Sequence, residues 1–244
     1  MKNKDCKIPN IEVLENSLAI IGWEEGTAGQ IHSWLEETSE YHIACFINPS
    51  DQPLNINVGG IHRDATQFSY PTKDGFKNKP LINASKWYDV VSDLKINKVL
   101  VTTGDPYQRY EEINHANEHN IDLINAFHPT SIIMEDAIIK ANVILHAKTF
   151  VGYRAEIFSG SIIDSGSQID HHCVLGKCVK IDPGVILAGN VTVGDFTTIH
   201  TGSVIKNRIR IGEDSIIGAG SVIIEDVPSS VTVVGVPGKI IKRH

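Results

Sequence analysis

The sequence predicts an α/β domain with a parallel sheet, followed by a left-handed parallel β-helix. Strand and helix signals alternate between residues 17 and 127, and from Ile133 the hydrophobic period changes to six. Alternating strands and helices are typical of a parallel sheet covered by helices. A period of six fits neither the 3.6 of a helix nor the 2 of a plain strand, and is typical of a β-helix. We therefore divide the chain into an arm at residues 1–16, an α/β domain at 17–128 and a β-helix at 129–244.

The elements of the first domain follow from short apolar runs separated by turn residues. Pro106 suits a helix start, where its missing N–H costs nothing. Residues 48–79 are polar and Gly-rich, so we expect a long surface excursion there. The strands are predicted at Ser17–Ile21, Tyr41–Ile47, Lys98–Thr103 and Ile121–Phe127, and the helices after the turn Gly22–Gly29, at Ser85–Leu94 and at Pro106–His119.

The β-helix prediction depends on the length of the repeat. Sixteen aliphatic residues, from Ile133 to Ile223, recur at intervals of six without a break. The residue four positions after each is small or β-branched, with Ile209 the only large one. Each hexad should make one face of a triangular prism, with both positions pointing into a narrow interior. Gly, Asn and Asp between them suit turns with unusual backbone angles.

Composition excludes several classes of function. The formal charge of the chain is −7 and its basic residues form no run, which argues against nucleic-acid binding. No apolar stretch approaches a membrane span of roughly 18 residues, and the N-terminal residues lack the apolar core of a signal peptide. The four cysteines form no CxxC pair. We expect a cytoplasmic protein.

The densest cluster of reactive side chains is Asp170-His171-His172-Cys173. Asp164 lies seven residues before His171, and a carboxylate near an imidazole can fix its tautomer and raise its basicity. Gly189 lies 18 residues after His171, one coil above it at the same corner, where its N–H could serve as an oxyanion donor. We expect His172 to point away from this cleft and Cys173, at a small inward position, to be buried and inert.

No loop interrupts the hexads, so a pocket needs a second wall. Side-by-side packing of prisms around a threefold axis would supply it, and we therefore expect a homotrimer with sites between subunits. In the α/β half, Gly22 follows the first strand and Gly104 follows the Lys98–Thr103 strand. Both turns fall at the sheet edge where a nucleotide would bind.

These motifs resemble those of bacterial nucleotide-sugar N-acetyltransferases, a family that includes sialic acid O-acetyltransferases. The resemblance covers nearly the whole chain: a Rossmann-like α/β domain, the His128-Pro129 junction and the β-helix. Its most specific segments are Asp170–Gly176, Pro183–Val185, Leu187–Gly194 and Val234–Lys239.

The resemblance implies acetyl-CoA as acyl donor and assigns roles to single residues. His171 matches the general base, Asp164 its supporting residue and Gly189 the amide that faces the thioester carbonyl. Coenzyme A would pass Thr201 and Ala219 between neighbouring prisms. Lys180 stands where a histidine usually contacts the acyl donor, His172 where an acidic residue usually follows the base, and Asn48 where an acidic residue usually contacts the nucleoside.

The sequence therefore predicts acetyl transfer from acetyl-CoA to an amino group of a nucleotide-linked sugar. The alternatives are O-acetylation of a free sugar such as a sialic acid, transfer of another acyl group, and a non-catalytic trimeric scaffold. Zinc enzymes of this fold carry two ligand histidines five residues apart. The β-helix has no such pair, so we expect no metal.

Overall fold

The computed structural model describes residues 11–23, 25–52 and 75–244. These form two compact units: one holds the chain up to Gly104 together with Asn114–Leu123, and the other holds Asp105–Ile113 together with Ile124–His244. Residues 1–10 of the expected arm and residues 53–74 of the expected excursion lie outside the described residues.

The first unit is built on one sheet with the strand order β3-β4-β2-β1-β5-β6. All neighbouring strands run parallel except β3, which is antiparallel to β4. The strands are β1 Ser17–Ile21, β2 His42–Asn48, β3 Gly75–Phe76, β4 Lys79–Asn83, β5 Lys98–Val101 and β6 Asp122–Leu123, and the helices are α1 Glu25–Thr38 and α2 Trp87–Asp93. A third helix, α3 Pro106–Glu118, belongs to the second unit as far as Ile113.

Three features of this half differ from the sequence prediction. Helix α1 begins at Glu25, so the predicted Gly22–Gly29 turn is much shorter. Strand β4 begins at Lys79, at the end of the expected excursion. Its Leu81 and Ile82 become buried by pairing with β2, and the Lys79 ammonium lies 2.7 Å from the Glu36 carboxylate of α1.

The third difference is the predicted strand Ile121–Phe127, which is wrong. It divides into β6, which pairs with β5, and β7 Ala126–Phe127, which pairs with β10 of the second unit. The β-helix therefore begins with β7, slightly before the expected boundary at residue 129.

The second unit is the predicted β-helix, with three parallel faces that meet at corners. Face one holds β7, β10 Ile144–Leu145, β13 Ile162–Ile163, β16 Lys180–Ile181, β19 Thr198–Ile199, β22 Ile216–Ile217 and β24 Val231–Val234, and ends in the antiparallel β25 Lys239–Arg243. Face two holds β8 Ile132–Ile133, β11 Phe150–Val151, β14 Gln168–Ile169, β17 Ile186–Leu187, β20 Val204–Ile205 and β23 Val222–Ile223. Face three holds β9 Ile138–Ile139, β12 Glu156–Ile157, β15 Val174–Leu175, β18 Thr192–Val193 and β21 Arg210–Ile211.

The aliphatic residues of the hexads point inward as predicted. Those from Leu145 to Ile223 are buried and form one continuous core, while Ile133 of the first coil is 39% exposed. The third residue after each aliphatic position turns the corner with a positive φ, in fifteen successive hexads from Asp136 to Gly220. Five of these corner residues are glycine; the rest tolerate the left-handed conformation because the coils above and below hold them in place.

The small inward positions carry a regularity that the sequence analysis missed. Several are serine, threonine or cysteine, and their side chains donate to the carbonyl oxygen fifteen residues later, on the next coil. The pairs are Ser161–Gly176, Ser167–Asp182, Cys173–Ala188, Thr197–Gly212 and Ser203–Gly218. These five polar side chains thus have hydrogen-bond partners inside an apolar prism.

The first half of α3 packs on one column of β-helix corners. Arg109 is fully buried, and its guanidinium donates to the carbonyl oxygens of Gly160 at 2.7 Å and Cys178 at 2.9 Å. The ring of Tyr107 stacks on Phe196 with the centroids 4.6 Å apart. Gly160, Cys178 and Phe196 are 18 residues apart, so α3 crosses three successive coils.

Candidate active site

His171 lies at the corner between β14 and β15, with its side chain exposed and its backbone fixed. Its N–H donates to Oδ1 of Asp170 at 2.7 Å, and its carbonyl oxygen accepts from the Asn190 N–H at 2.9 Å. Asp170 thus positions the backbone of His171 rather than its ring.

Gly189 lies one coil above, directly against the imidazole. A Cβ at Gly189 would overlap Cε1 and Nε2 of His171, so only glycine fits there without displacing the ring. Gly189 is buried beneath the ring, and within the part of the chain that the structure describes its N–H donates to no acceptor. The prediction that His171 and Gly189 share a corner is therefore confirmed.

His172 contacts His171, although we expected it to point away. Its φ is +57°, because it occupies the left-handed corner position of its hexad. This conformation brings Nδ1 of His172 to 3.1 Å from Nδ1 of His171. The ring closest to the candidate base is therefore an imidazole.

Cys173 is buried, as predicted. Burial raises the pKa of its thiol to about 11, and its Sγ donates to the carbonyl oxygen of Ala188 at 3.2 Å. A buried thiol with a raised pKa is a poor nucleophile, so the cluster offers no thiolate for a covalent acyl-enzyme.

Asp164 lies at another corner, between β13 and β14, one face width away from His171 along the chain. Its Oδ1 accepts the Ser165 N–H at 2.7 Å, and its charge acts on His146. Burial lowers the pKa of His146, the carboxylate of Asp164 opposes this, and His128 lowers it further. The structure thus does not join Asp164 to His171 within one chain, and the supporting role of Asp164 stays a prediction.

Asp164 belongs to a column of titratable residues that the sequence analysis did not recognise. One such residue follows each of the first five face-one strands, β7 to β19, at intervals of 18: His128, His146, Asp164, Asp182 and His200. The Nδ1–H of His200 donates to Oδ2 of Asp182 at 2.7 Å. The 18-residue spacing was the available signal, since three hexads make one coil.

Three of the expected donor-binding residues, Lys180, Thr201 and Ala219, lie on or beside face one. The Lys180 ammonium is 3.6 Å from Oδ1 of Asp182, and the other oxygen of this carboxylate, Oδ2, accepts from His200. Thr201 and Ala219 are exposed and adjacent, because the Gly220 N–H donates to the Thr201 carbonyl oxygen. A small alanine and a short hydroxyl side chain leave room for an extended ligand along this corner.

The candidate residues of the β-helix therefore occupy two different corners. His171 and Gly189 follow face-two strands, whereas Thr201 and Ala219 follow face-one strands and Lys180 lies on face one. A single chain does not bring the two groups together.

The α/β unit has a separate candidate site at the carboxyl edge of its sheet. Gly22 follows β1, Asn48 ends β2 and Gly104 lies shortly after β5. Because β1 lies between β2 and β5, these residues share one edge. The order of the strands reverses between β1 and β5, since β2 and β4 lie on one side of β1, and β5 and β6 lie on the other. Such a switch point is where parallel α/β sheets bind ligands.

The geometry at this edge is tight. Gly22 has a φ of +89°, and a Cβ there would lie 2.7 Å from the Thr103 backbone nitrogen. The Thr102 hydroxyl donates to the Gly22 carbonyl oxygen at 2.7 Å. The Asn48 amide donates to Oδ1 of Asn83 at 2.9 Å, so a neutral amide pair stands at the end of β2.

Trp23, which the sequence analysis did not single out, lies next to Gly22 at this edge. Its half-buried ring packs edge-to-face against Phe46, with centroids 4.9 Å apart, and against Phe76, with centroids 4.6 Å apart. Trp23 follows Gly22 directly, so an aromatic cluster borders the carboxyl edge.

Residues 11–23, 25–52 and 75–244 contain no group of three or more His, Cys, Asp or Glu side chains placed to hold a metal ion. Within the same residues, no helix is both long and apolar enough to cross a membrane.

Comparison with known proteins agrees with the fold. Residues 172–207 and 190–225 match the family described as bacterial transferase hexapeptide (six repeats). PerB from Caulobacter crescentus, in a complex with CoA and GDP-perosamine, is 24% identical to this chain with a TM-score of 0.80. The match covers 95% of this chain and 99% of PerB.

Two other solved structures match over similar lengths. The acetyltransferase domain of PglB from Neisseria gonorrhoeae, in complex with acetyl coenzyme A, is 24% identical with a TM-score of 0.75, covering 93% of this chain and 99% of that domain. WeeI from Acinetobacter baumannii is 18% identical with a TM-score of 0.63, covering 92% of this chain and all of its own. The two-part architecture is therefore shared over nearly the full length of this chain.

Proposed function

We propose that this chain, which carries bacterial transferase hexapeptide repeats, transfers an acetyl group from acetyl-CoA to an amino group of a nucleotide-linked sugar. The observation that carries the proposal is the imidazole of His171 against Gly189, one coil above. The likeness to PerB, whose structure holds CoA and GDP-perosamine, supports both substrates. Structures of perosamine N-acetyltransferase in which one histidine is replaced are consistent with a histidine base.

The reaction needs no covalent enzyme intermediate. The acceptor nitrogen attacks the thioester carbonyl carbon, and Nε2 of His171 takes the proton that the nitrogen loses. The Gly189 N–H donates to the oxyanion that develops on the carbonyl oxygen. When the tetrahedral intermediate collapses, the carbon–sulfur bond breaks and the proton held by His171 passes to the departing thiolate.

We assign the remaining candidates by position. Lys180, Thr201 and Ala219 border the path of coenzyme A along face one, and Gly22, Asn48 and Gly104 border the nucleotide of the acceptor. Because the donor residues and His171 lie at different corners, a complete site takes them from neighbouring copies. Asp164 likewise approaches His171 only from a second copy. The assembly that supplies three equal clefts is a homotrimer.

Acetyl-CoA and nucleotide sugars are both cytoplasmic metabolites, and we propose that the protein acts there. The test of function uses purified protein with acetyl-CoA and a panel of GDP-, UDP- and dTDP-linked amino sugars. Release of free thiol with at least one of them is expected. The matched controls are the same sugars with a hydroxyl in place of the amino group, which should release none.

Two variants connect this activity to the site. His171→Ala should lower turnover by at least about a hundredfold, since general-base catalysis is typically worth that much, while coenzyme A binding measured by calorimetry stays unchanged. Cys173→Ser should keep near-normal turnover. Thiol release by His171→Ala at the wild-type rate would show that the base is another group.

A further inference from the structure

The contact between His171 and His172 defines which nitrogen of the candidate base is free. Their Nδ1 atoms are 3.1 Å apart, and the two rings stand nearly perpendicular at 85°. Neutral imidazoles each carry one ring proton. At this distance the two Nδ1 atoms share one hydrogen, so one ring donates and the other accepts.

Only one of the two arrangements suits a base at Nε2. If His171 donates its Nδ1–H to His172, Nε2 of His171 keeps a lone pair. If His172 donates instead, the proton of His171 sits on Nε2 and the ring cannot accept another there. Nε2 is one of the two ring atoms that lie against Gly189, beside the candidate oxyanion donor.

We propose that His172 is a positioning residue, which accepts the Nδ1–H of His171 and so holds Nε2 as the proton acceptor. This inference rests on the proposed acetyl transfer for its catalytic meaning. A neutral imidazole here takes the place of the carboxylate that orients a catalytic histidine in hydrolase triads.

The local structure keeps His172 in this position. Its N–H donates to the Tyr153 carbonyl oxygen at 2.9 Å, and its ring meets the Tyr153 ring edge-on with the centroids 5.7 Å apart. The coils that hold this corner therefore also hold the second imidazole.

Protonation of the acceptor would reverse the direction of this hydrogen bond. When His172 gains a proton, both of its nitrogens become donors. Its Nδ1–H then donates to His171 and forces the His171 proton onto Nε2. The titratable and charged groups around the pair are Asp170, which binds the His171 N–H, Tyr153, and Arg154, whose guanidinium lies 4.9 Å over the Tyr153 ring. Protonation of His172 would therefore leave Nε2 of His171 without a free lone pair.

The first experiment compares two substitutions of matched size in the full-length protein. His172→Gln keeps an oxygen that accepts the Nδ1–H, and should retain turnover at pH 8 within about threefold. His172→Leu has no acceptor and should lose about tenfold or more, within the range of about 10²–10⁴ that a correctly protonated general base is worth. His172→Glu should move the acid limb of the kcat–pH profile to higher pH, because a carboxylate stabilises the protonated imidazole.

The second experiment reads the tautomer without any substrate. Nitrogen-15 NMR shifts at pH 8 should place the His171 proton on Nδ1 in the wild type and in His172→Gln, but not in His172→Leu. If this tautomer is found but the protein acetylates no sugar, the hydrogen bond from His171 to His172 is supported and only the proposed reaction is contradicted. Acetyl transfer by a wild type with the proton on Nε2 would overturn the pairing, as would a His172→Leu variant with unchanged tautomer, turnover and pH profile.

Discussion

Gly189 is a glycine because an imidazole occupies the space where its side chain would be. Gly189→Ala should therefore displace the His171 ring and lower turnover by about a hundredfold, the effect of moving a catalytic group by roughly 1 Å. The unfolding temperature should change little, because the φ of Gly189 is not in the left-handed region. The control is Ala188→Gly at the neighbouring position, and wild-type turnover in Gly189→Ala would refute the contact.

His146 provides a test at the scale of one buried titratable group. Its pKa in the folded protein is lowered by burial, against the opposing charge of Asp164. The unfolded chain has a histidine pKa of about 6.5 and so takes up a proton first as the pH falls. Stability should therefore be unaffected above that pH and decrease below it.

Replacing this histidine should remove that part of the pH dependence. His146→Gln is expected to flatten the urea-unfolding free energy between about pH 6.5 and pH 5. The matched control is His119→Gln, which removes an exposed histidine and should leave the slope intact. Equal slopes in the wild type and His146→Gln would mean that His146 titrates normally in the fold.

At the same scale, the limits of sequence-based prediction are clear. His171 and Gly189 could be paired because their spacing of 18 equals one coil of three hexads. The direction of His172 could not be predicted from its type, since the left-handed corner that turns it toward His171 favours glycine or asparagine in isolation. Its position three residues after Ile169 was the informative feature, because that position is left-handed in fifteen successive hexads, from Asp136 to Gly220.

At the scale of elements, predictions from local periodicity succeeded and those that depend on distant pairing failed. The hexads could be predicted from their own sequence, because each coil buries the same hexad positions as the next. Strand β4 is buried only because β2 lies beside it, and nothing in residues 79–83 marks that partner. The division of residues 121–127 into β6 and β7 has the same cause, because each strand pairs with a different sheet.

The docking of α3 on the β-helix corners gives the prediction at this scale. Arg109→Met removes two charged hydrogen bonds to the carbonyl oxygens of Gly160 and Cys178, each worth about 1.5–3 kcal/mol. We expect the unfolding free energy to fall by about 3 kcal/mol or more. Gln108→Ala, on the exposed side of the same turn, is the control and should change it by less than about 0.5 kcal/mol. A loss below about 1 kcal/mol in Arg109→Met would show that these bonds contribute little.

At the scale of the whole molecule, the two corners of the β-helix decide how many chains a site needs. His171 lies at the corner after face two, and Ala219 lies at the corner after face one. If one cleft combines His171 of one copy with Ala219 of the next, a trimer of chains that all carry a substitution at either residue loses all of its sites. Light scattering should give the mass of three chains for the wild type and for the variants His171→Ala and Ala219→Trp.

Mixing two inactive variants then separates the arrangements. His171→Ala removes the base, and Ala219→Trp fills the donor corner. An equal mixture of the two variants is unfolded and refolded. A site then works only when its His171 comes from an Ala219→Trp chain and its Ala219 comes from a His171→Ala chain. Each condition holds with a probability of about one half, so about a quarter of the wild-type activity should return in a cyclic trimer. A site contained within one chain would always carry one of the two substitutions, and the mixture would stay inactive. Refolded single variants provide the baseline, and a refolded wild type sets the scale.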